Sequence, residues 1–395
     1  MKVLILHRRL SGYFVSCLRE LAQSSEHALL TVAWPNQKDA PFDPSLFEEI
    51  GTVHNREDYS VDGLRLLARD FKPDCVLVSG WTDKGYLQVC KALKQQGVLI
   101  VSGCDTQWKG SLRQHVASAI APWHVQEFID VFWVSGERQR QLAAKLGYTG
   151  DRCWDGYYAC DWNLFSAVAE KRFQRAEGGE LKLEEEKTNE AHRSSLSFQV
   201  SPLKSQVSGL PPQVSRSFAL VGRYALVKGL DTLAEAYRIY SAQVESPWKL
   251  ICAGQGECRE QLVAAGAEDR GFIQPEALPD FLAEADAFIL PSRFEPWGVV
   301  VQEAAASGLP VIASDACGAG VHLLRDRWNG RSFAAGDATH LADCLLWMHQ
   351  QSDARLIEMG SRSMELSKQY TPERWFRTLV SGAQGLISSR KTNTH

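Results

Sequence analysis

Two carboxylates, Glu295 and Glu303, bracket a loop-to-helix junction in the segment Leu290-Pro-Ser-Arg-Phe-Glu-Pro-Trp-Gly-Val-Val-Val-Gln-Glu303. The apolar run ending at Leu290 reads as a buried strand, Pro296 and Gly298 as a loop, and Val299–Ser307 as an apolar-periodic helix. Gly308 stops that helix, and Pro310 opens the next strand. Glu295 then sits in the loop and Glu303 about one turn inside the helix. The free amides of Gly298, Val299 and Val300 make a positive helix end suited to a phosphate or a sugar oxygen. Alone, the pair is weak evidence, because Glu303 can be a solvated helix residue and Glu295 an acid that complements the helix dipole. A second segment, Val221-Gly222-Arg223-Tyr-Ala-Leu-Val-Lys228-Gly229-Leu-Asp231, follows another strand and opens another helix. Gly222 lets a ligand approach the backbone, and Arg223 and Lys228 can converge on a diphosphate. Two surface cations in an ordinary strand-to-helix loop are the plain alternative.

Short apolar runs alternate with amphipathic stretches along most of the chain, which implies parallel sheets covered by helices on both faces. In the first half, strands are expected at Val3–Leu6, Ala28–Ala33, Cys75–Ser79, Leu99–Ser102 and Val131–Val134, with helices starting near Tyr13, Asp62, Gly85 and Glu137. Residues 1–166 form one doubly wound domain on this reading. Residues 167–217 carry Glu-Gly-Gly-Glu, a charge run at Glu184–Lys187 and a Ser/Gln/Pro-rich tail, and read as a disordered linker or insert, with a helix over Leu181–Ala191 as an option. A second α/β series follows in 218–371. Its strands are expected at Phe218–Val221, Lys249–Ala253, Ala287–Leu290 and Pro310–Ala313, and its helices at Asp231–Gln243, Glu257–Ala265, Leu278–Ala285, Val299–Ser307 and Asp337–Gln350. Residues 372–395 supply a closing helix over Pro372–Ser388 and a tail that crosses back to the first domain. Two such domains present the carboxyl ends of their strands to a shared cleft, where ligands bind in doubly wound folds.

The bulk properties agree with an α/β protein of two domains. The chain has 395 residues, 45% of them hydrophobic and 23% charged, which suffices for two cores. A net charge of −4 gives no sign of nucleic-acid binding. Met1–Leu6 is followed at once by His7, Arg8 and Arg9 and reads as a first strand, not as the apolar core of a leader. No stretch reaches the apolar length of a membrane span. Ten scattered cysteines without metal-site spacing read as reduced, buried thiols of a cytoplasmic protein.

Taken whole, the Glu295–Glu303 segment resembles the Glu-x7-Glu motif of retaining GT-B glycosyltransferases, particularly the GT4 family. The Gly222–Gly229 segment resembles that family's Gly-Arg-x4-Lys-Gly stretch, in the expected order and about seventy residues earlier. The resemblance covers Phe218 to about Leu346 well and the first half in outline. It implies a GT-B fold and a retaining transfer of sugar from a nucleotide diphosphate sugar. Glu295 would contact donor-sugar hydroxyls, Glu303 would accept hydrogen bonds from the ribose, and Arg223 and Lys228 would hold the pyrophosphate. Gly254 in Cys252-Ala-Gly-Gln-Gly256 corresponds to a glycine turn beside the donor. Gln274 replaces the glycine of a Phe-x-Gly element near the base, and Phe294 adjoins Glu295. Gly12, at the first strand-to-helix turn, can let the loop reach the donor phosphate or can simply start a helix. The family's sugar-contacting histidine is missing from Gly103-Cys-Asp-Thr-Gln-Trp108, and Asp105 is the candidate for that space. The Gly-Pro-Glu turn of relatives is absent from Asp315–Gly320, whereas Asp161–Phe165 resembles the close of the family's first domain.

The catalytic set is therefore Glu295, Arg223, Lys228 and Asp105. No Asp-x-Asp element suits a divalent ion, so neither metal nor cofactor is expected. The acceptor is a carbohydrate, a lipid-linked sugar or another small molecule, in polysaccharide or glycoconjugate synthesis by analogy alone. Peripheral contact with the inner face of the membrane goes with a lipid-linked acceptor. Arg8 and Arg9 can meet an acidic acceptor or be a solvated basic loop. The rivals are a two-carboxylate hydrolase, a sugar-nucleotide epimerase and a non-catalytic nucleotide-sugar-binding protein of the same fold.

Overall fold

The computed structural model describes residues 1–35, 41–173 and 216–392. The first domain is a seven-stranded parallel sheet built from β1 (Lys2–His7), β2 (Ala28–Ala33), β3 (Val53–Asn55), β4 (Cys75–Val78), β5 (Leu99–Cys104), β6 (Val131–Val134) and β7 (Cys153–Asp155). Its strand order is β3-β2-β1-β4-β5-β6-β7. The second holds β8 (Ser217–Val221), β9 (Lys249–Ala253), β10 (Glu268–Asp269), β11 (Ala287–Leu290), β12 (Val311–Ser314) and β13 (Gly330–Phe333), in the order β10-β9-β8-β11-β12-β13. Both sheets are doubly wound, with the order reversing between β1 and β4 and between β8 and β11. These reversals open crevices at the strands' carboxyl ends, and the two crevices face each other, giving the GT-B architecture that the motifs imply.

The central strands form where apolar β-branched runs can be buried on both faces. Val3, Leu4, Ile5 and Leu6 in β1 and Val131–Val134 in β6 are all nearly inaccessible. The strands that the sequence did not signal, β3, β7 and β10, are two or three residues long and lie at sheet edges, where no apolar run is needed. Besides the one-turn helices Ala121–His124 and Gly320–Leu323, two longer helices escaped the reading. Leu112–Ala119 buries none of its residues, so it offers no core-facing stripe to detect. Asp353–Ser367 buries Leu356, Met359, Gly360, Ser363 and Ser367, a face largely of small residues. Gly360 is needed there: a Cβ on it would lie 2.1 Å from the Gly308 carbonyl oxygen.

The chain remains helical over 162–173, seven residues into the stretch read as linker. That extension packs, since Ala169 is buried and Arg172 donates to the Leu282 carbonyl at 3.2 Å. The rest of the expected linker, including Leu181–Ala191, falls outside the described residues. The final helix, Pro372–Thr392, lies on the first domain. Trp375 stacks on Trp133 at 4.8 Å between ring centroids and donates its indole N–H to the Tyr157 carbonyl at 2.9 Å. All ten cysteines are unpaired and buried.

Candidate functional site

A cavity of about 470 Å³ opens between the two crevices. Its second-domain wall is made by the turns after β8, β9 and β11. Gly222 (φ 155°) and Gly254 (φ 156°) bring two of these turns so close that a Cβ on Gly254 would lie 1.8 Å from the Gly222 carbonyl oxygen. The turn after β11 ends at Gly298, whose φ of 97° starts the helix Val299–Ala306 and leaves the first-turn amides of Val299 and Val300 at the cavity wall. A left-handed conformation there excludes most other residues.

Arg223, Lys228, Glu295 and Asp105 all line this cavity, as do Gly222, Gly254, Gly298, Val299, Val300 and Glu303. Lys228 Nζ donates to Glu295 Oε2 at 2.5 Å, and Ser292 Oγ lies 3.3 Å from the same oxygen. The buried Glu295 carboxylate is thus held by a charge-assisted hydrogen bond. Glu303 is equally buried, at 9% exposure, but no donor among the described residues reaches its carboxylate. Burial alone pushes its pKa up to about 7.

From the opposite wall, Asp105 faces the cleft just after β5. The residue is exposed to the open cleft, yet partial desolvation by the surrounding walls raises its pKa above the usual carboxylate range; the Glu295 charge adds to the effect, while a hydrogen bond from Tyr158 Oη at 3.3 Å opposes it. Tyr13 also lines the wall, its phenol pushed up to about 12 chiefly by burial. Gln139 ties the domains together, its Nε2 donating to the Asp105 carbonyl at 3.1 Å and to the Pro296 carbonyl at 2.7 Å. Tyr158 and Gln139 were not foreseen: one follows a short edge strand without a motif, and the other sits on a highly charged helix, Glu137–Lys145.

Three expected donor contacts lie elsewhere. Gly12 starts the helix Gly12–Ala22 and abuts the second domain, where a Cβ would stand 2.6 Å from Pro275 Cγ; it borders a smaller hollow shared with Glu303. Gln274 turns away from the cavity, accepting from the Asp43 amide at 3.2 Å and donating to the Pro41 carbonyl at 2.9 Å. Its longer, hydrogen-bonding side chain has found main-chain partners in the other domain. Phe294 instead carries the Lys109 ammonium 3.6 Å from its ring centroid, a cation–π contact across the cleft. Among the described residues no group of three His, Cys, Asp or Glu side chains is arranged to hold a metal ion.

The family described as Glycosyl transferases group 1 matches residues 215–351, the part that supplies Arg223, Lys228, Glu295 and Glu303. Those residues carry the chain's likeness to glycosyl transferases group 1. The chain is also similar to curated relatives over part of its length. The chain is 31% identical over 162 residues to mannosylfructose-phosphate synthase of Agrobacterium fabrum, covering 36% of this chain and 35% of that protein. It is 32% identical over 131 residues to glycogen synthase of Mycobacterium tuberculosis, covering 31% of each. The chain therefore spans about a third of the length of these relatives. The fold likeness is wider. HepE of Anabaena in complex with UDP superimposes with a TM-score of 0.69 at 16% identity, covering 98% of this chain and all of that one. Sucrose-phosphate synthase of Thermosynechococcus elongatus gives 0.66 at 17% identity, covering 98% of this chain and 99% of that one.

Proposed function

We propose that the protein is a retaining, metal-independent glycosyltransferase that moves a sugar from a nucleotide diphosphate sugar to an acceptor hydroxyl. The observation that carries this reading is the convergence of Arg223, Lys228 and the Val299–Val300 helix end on one cavity wall, beside the buried carboxylates Glu295 and Glu303. As the bond from the anomeric carbon to the diphosphate oxygen breaks, its electron pair passes to the β-phosphate. The two cations and the helix amides stabilise that charge where it develops. The acceptor oxygen bonds to the same carbon from the same face, and its proton passes to the departing phosphate. Glu295, held by Lys228, is placed to accept hydrogen bonds from donor-sugar hydroxyls, and Glu303 from the ribose. Asp105 and Tyr158 approach from the acceptor side. The Gln139 bridge supports a closed cleft that excludes water and suppresses hydrolysis.

The likeness to HepE, a protein described with UDP, makes UDP the first nucleotide to test. No helix among the described residues is long and apolar enough to cross a membrane. Peripheral contact with an anionic lipid surface is supported by Leu112, Val116, Ile120 and Trp123, which are exposed along one stretch beside Arg113. The proposal places the protein in the cytoplasm, acting on carbohydrate or lipid-linked acceptors.

The test is turnover of a panel of UDP-, GDP-, ADP- and TDP-sugars with α linkage, with the anomer of the first product read by proton NMR before it equilibrates. The expected product is α. A β product contradicts retention, and bound but unconverted donors would identify a non-catalytic binding protein.

A further inference from the structure

We propose that a basic hollow in the first domain, formed by Arg8, Arg9 and Lys84 beside Trp34, binds the anionic group, phosphate or carboxylate, of an acceptor sugar. The inference rests on the glycosyl-transfer reading and names the class of acceptor. At the carboxyl ends of three adjacent strands, β2, β1 and β4, the segments Trp34–Pro35, Arg8–Arg9 and Thr82–Gly85 surround a hollow of about 620 Å³. This is the edge of a doubly wound sheet where ligands bind.

Among the described residues the charges there do not cancel. Asp83 caps the helix Lys84–Gln95 through the Gly85 and Tyr86 amides at 2.8 and 3.0 Å, and accepts from Trp34 Nε1 at 2.8 Å. Its charge is balanced by the buried Arg56, 3.8 Å away. Among the described residues, Glu57 is the only other acid lining the hollow, against Arg8, Arg9 and Lys84. None of these three cations has a side-chain partner among the described residues. A surplus of positive charge at the start of a helix favours an anion, and guanidinium groups grip phosphate or carboxylate in a defined geometry. A neutral acceptor would leave that surplus unused.

The hollow is also rigidly tied to the donor cavity. The Arg8 amide donates to Ser79 Oγ at 2.7 Å and the Arg9 amide to His7 Nδ1 at 3.2 Å, so both side chains leave from fixed points. Burial holds the His7 pKa down to about 4, which keeps the ring neutral and able to accept that hydrogen bond. His7 stacks on Phe14 at 4.1 Å, and the residue before Phe14 is Tyr13 at the donor cavity. Three residues lie between Arg9 and Tyr13, so their Cα atoms are at most about 14 Å apart. Side chains reaching in from both ends shorten that span, so an acceptor sugar with its anionic group on the arginines can present a hydroxyl towards the donor sugar. Trp34, fixed by Arg56 at 5.3 Å from its ring, lines the hollow as an aromatic wall for the sugar ring.

The experiment is calorimetry on the full chain with saturating UDP, using glucose 6-phosphate, glucuronate, glucose and inorganic phosphate as probes. The proposal expects the two anionic sugars to bind at least tenfold more tightly than glucose, and glucose 6-phosphate more tightly than phosphate. Arg8→Gln and Arg9→Gln should each weaken the anionic sugars tenfold or more, with UDP affinity and melting temperature unchanged. Equal binding of glucose and the anionic sugars, equal binding of phosphate and glucose 6-phosphate, or anionic binding that survives the double variant would overturn it. Failure of UDP itself to bind would instead remove the donor reading beneath it.

Discussion

Replacing Glu303 by glutamine should stabilise the protein while damaging its function. The carboxyl group is buried without a donor, and burial raises its pKa from 4.5 to about 7. The folded state therefore binds a proton more tightly than the unfolded state. The stability this confers is fully present below pH 4.5 and is lost as the pH rises through 7. At about 1.36 kcal/mol per pKa unit, the ionised group costs the folded protein about 3 kcal/mol at pH 8. Glu303→Gln cannot ionise and escapes that cost. At about 2–4 °C per kcal/mol for a domain of this size, its melting transition should lie several degrees above the wild type at pH 8. The gap should shrink steadily towards pH 5. Scanning calorimetry across pH 5–8 on both proteins reads this difference directly. A gap that stays constant over that range would refute the reasoning, because it would mean that Glu303 does not titrate there. The same carboxylate, once ionised, is the acceptor proposed for ribose hydroxyls, and hydrogen bonds to a charged acceptor contribute about 1.5–3 kcal/mol each. Nucleotide affinity should therefore drop at least tenfold in the variant, a stability-for-function exchange common at binding sites.

The remaining predictions follow from single contacts. Lys228→Met leaves the buried Glu295 carboxylate with Ser292 as its one remaining side-chain partner among the described residues, and should lower both nucleotide affinity and melting temperature, measured by calorimetry on the variant. Gly298→Ala forces a side chain into a left-handed conformation 3.1 Å from Glu295 Cγ and Leu290 Cδ2, so donor turnover should fall sharply with a stability loss of about 1–3 kcal/mol. Gln139→Ala removes the bridge between the Asp105 and Pro296 carbonyls, and small-angle scattering with bound nucleotide should show a more open molecule with faster donor hydrolysis. If the Leu112–Trp123 surface meets lipid, Leu112→Glu with Trp123→Glu should abolish co-sedimentation with anionic vesicles while leaving nucleotide binding intact; neither protein binding such vesicles would dismiss membrane contact.

The legible parts of this chain are those where one local rule decides the outcome. Apolar runs such as Val131–Val134 allow only a buried strand, and the sequence around Gly298 encodes a loop, a left-handed residue and a helix start in a few positions. The cavity residues Arg223, Lys228, Glu295 and Glu303 were legible because a strand end and a helix start fix where each must point. Gln274 and Phe294 misled because their partners, Pro41, Asp43 and Lys109, belong to the other domain and are more than 180 residues away in the chain. Gln139 was silent for the same reason, since its importance lies in a contact between domains, and Tyr158 because its partner Asp105 lies 53 residues away in the chain. The edge strands β3, β7 and β10 are held by pairing with a neighbour, which leaves no apolar pattern of their own.

The most direct test of the central claim is calorimetric titration of the full chain with UDP, GDP, ADP and TDP, alongside Arg223→Ala and Glu303→Ala. The account predicts that one nucleoside diphosphate binds in preference to the others, and that each substitution weakens it at least tenfold in a protein that still melts cooperatively. Absence of binding by all four nucleotides, or binding indifferent to both substitutions, would contradict it.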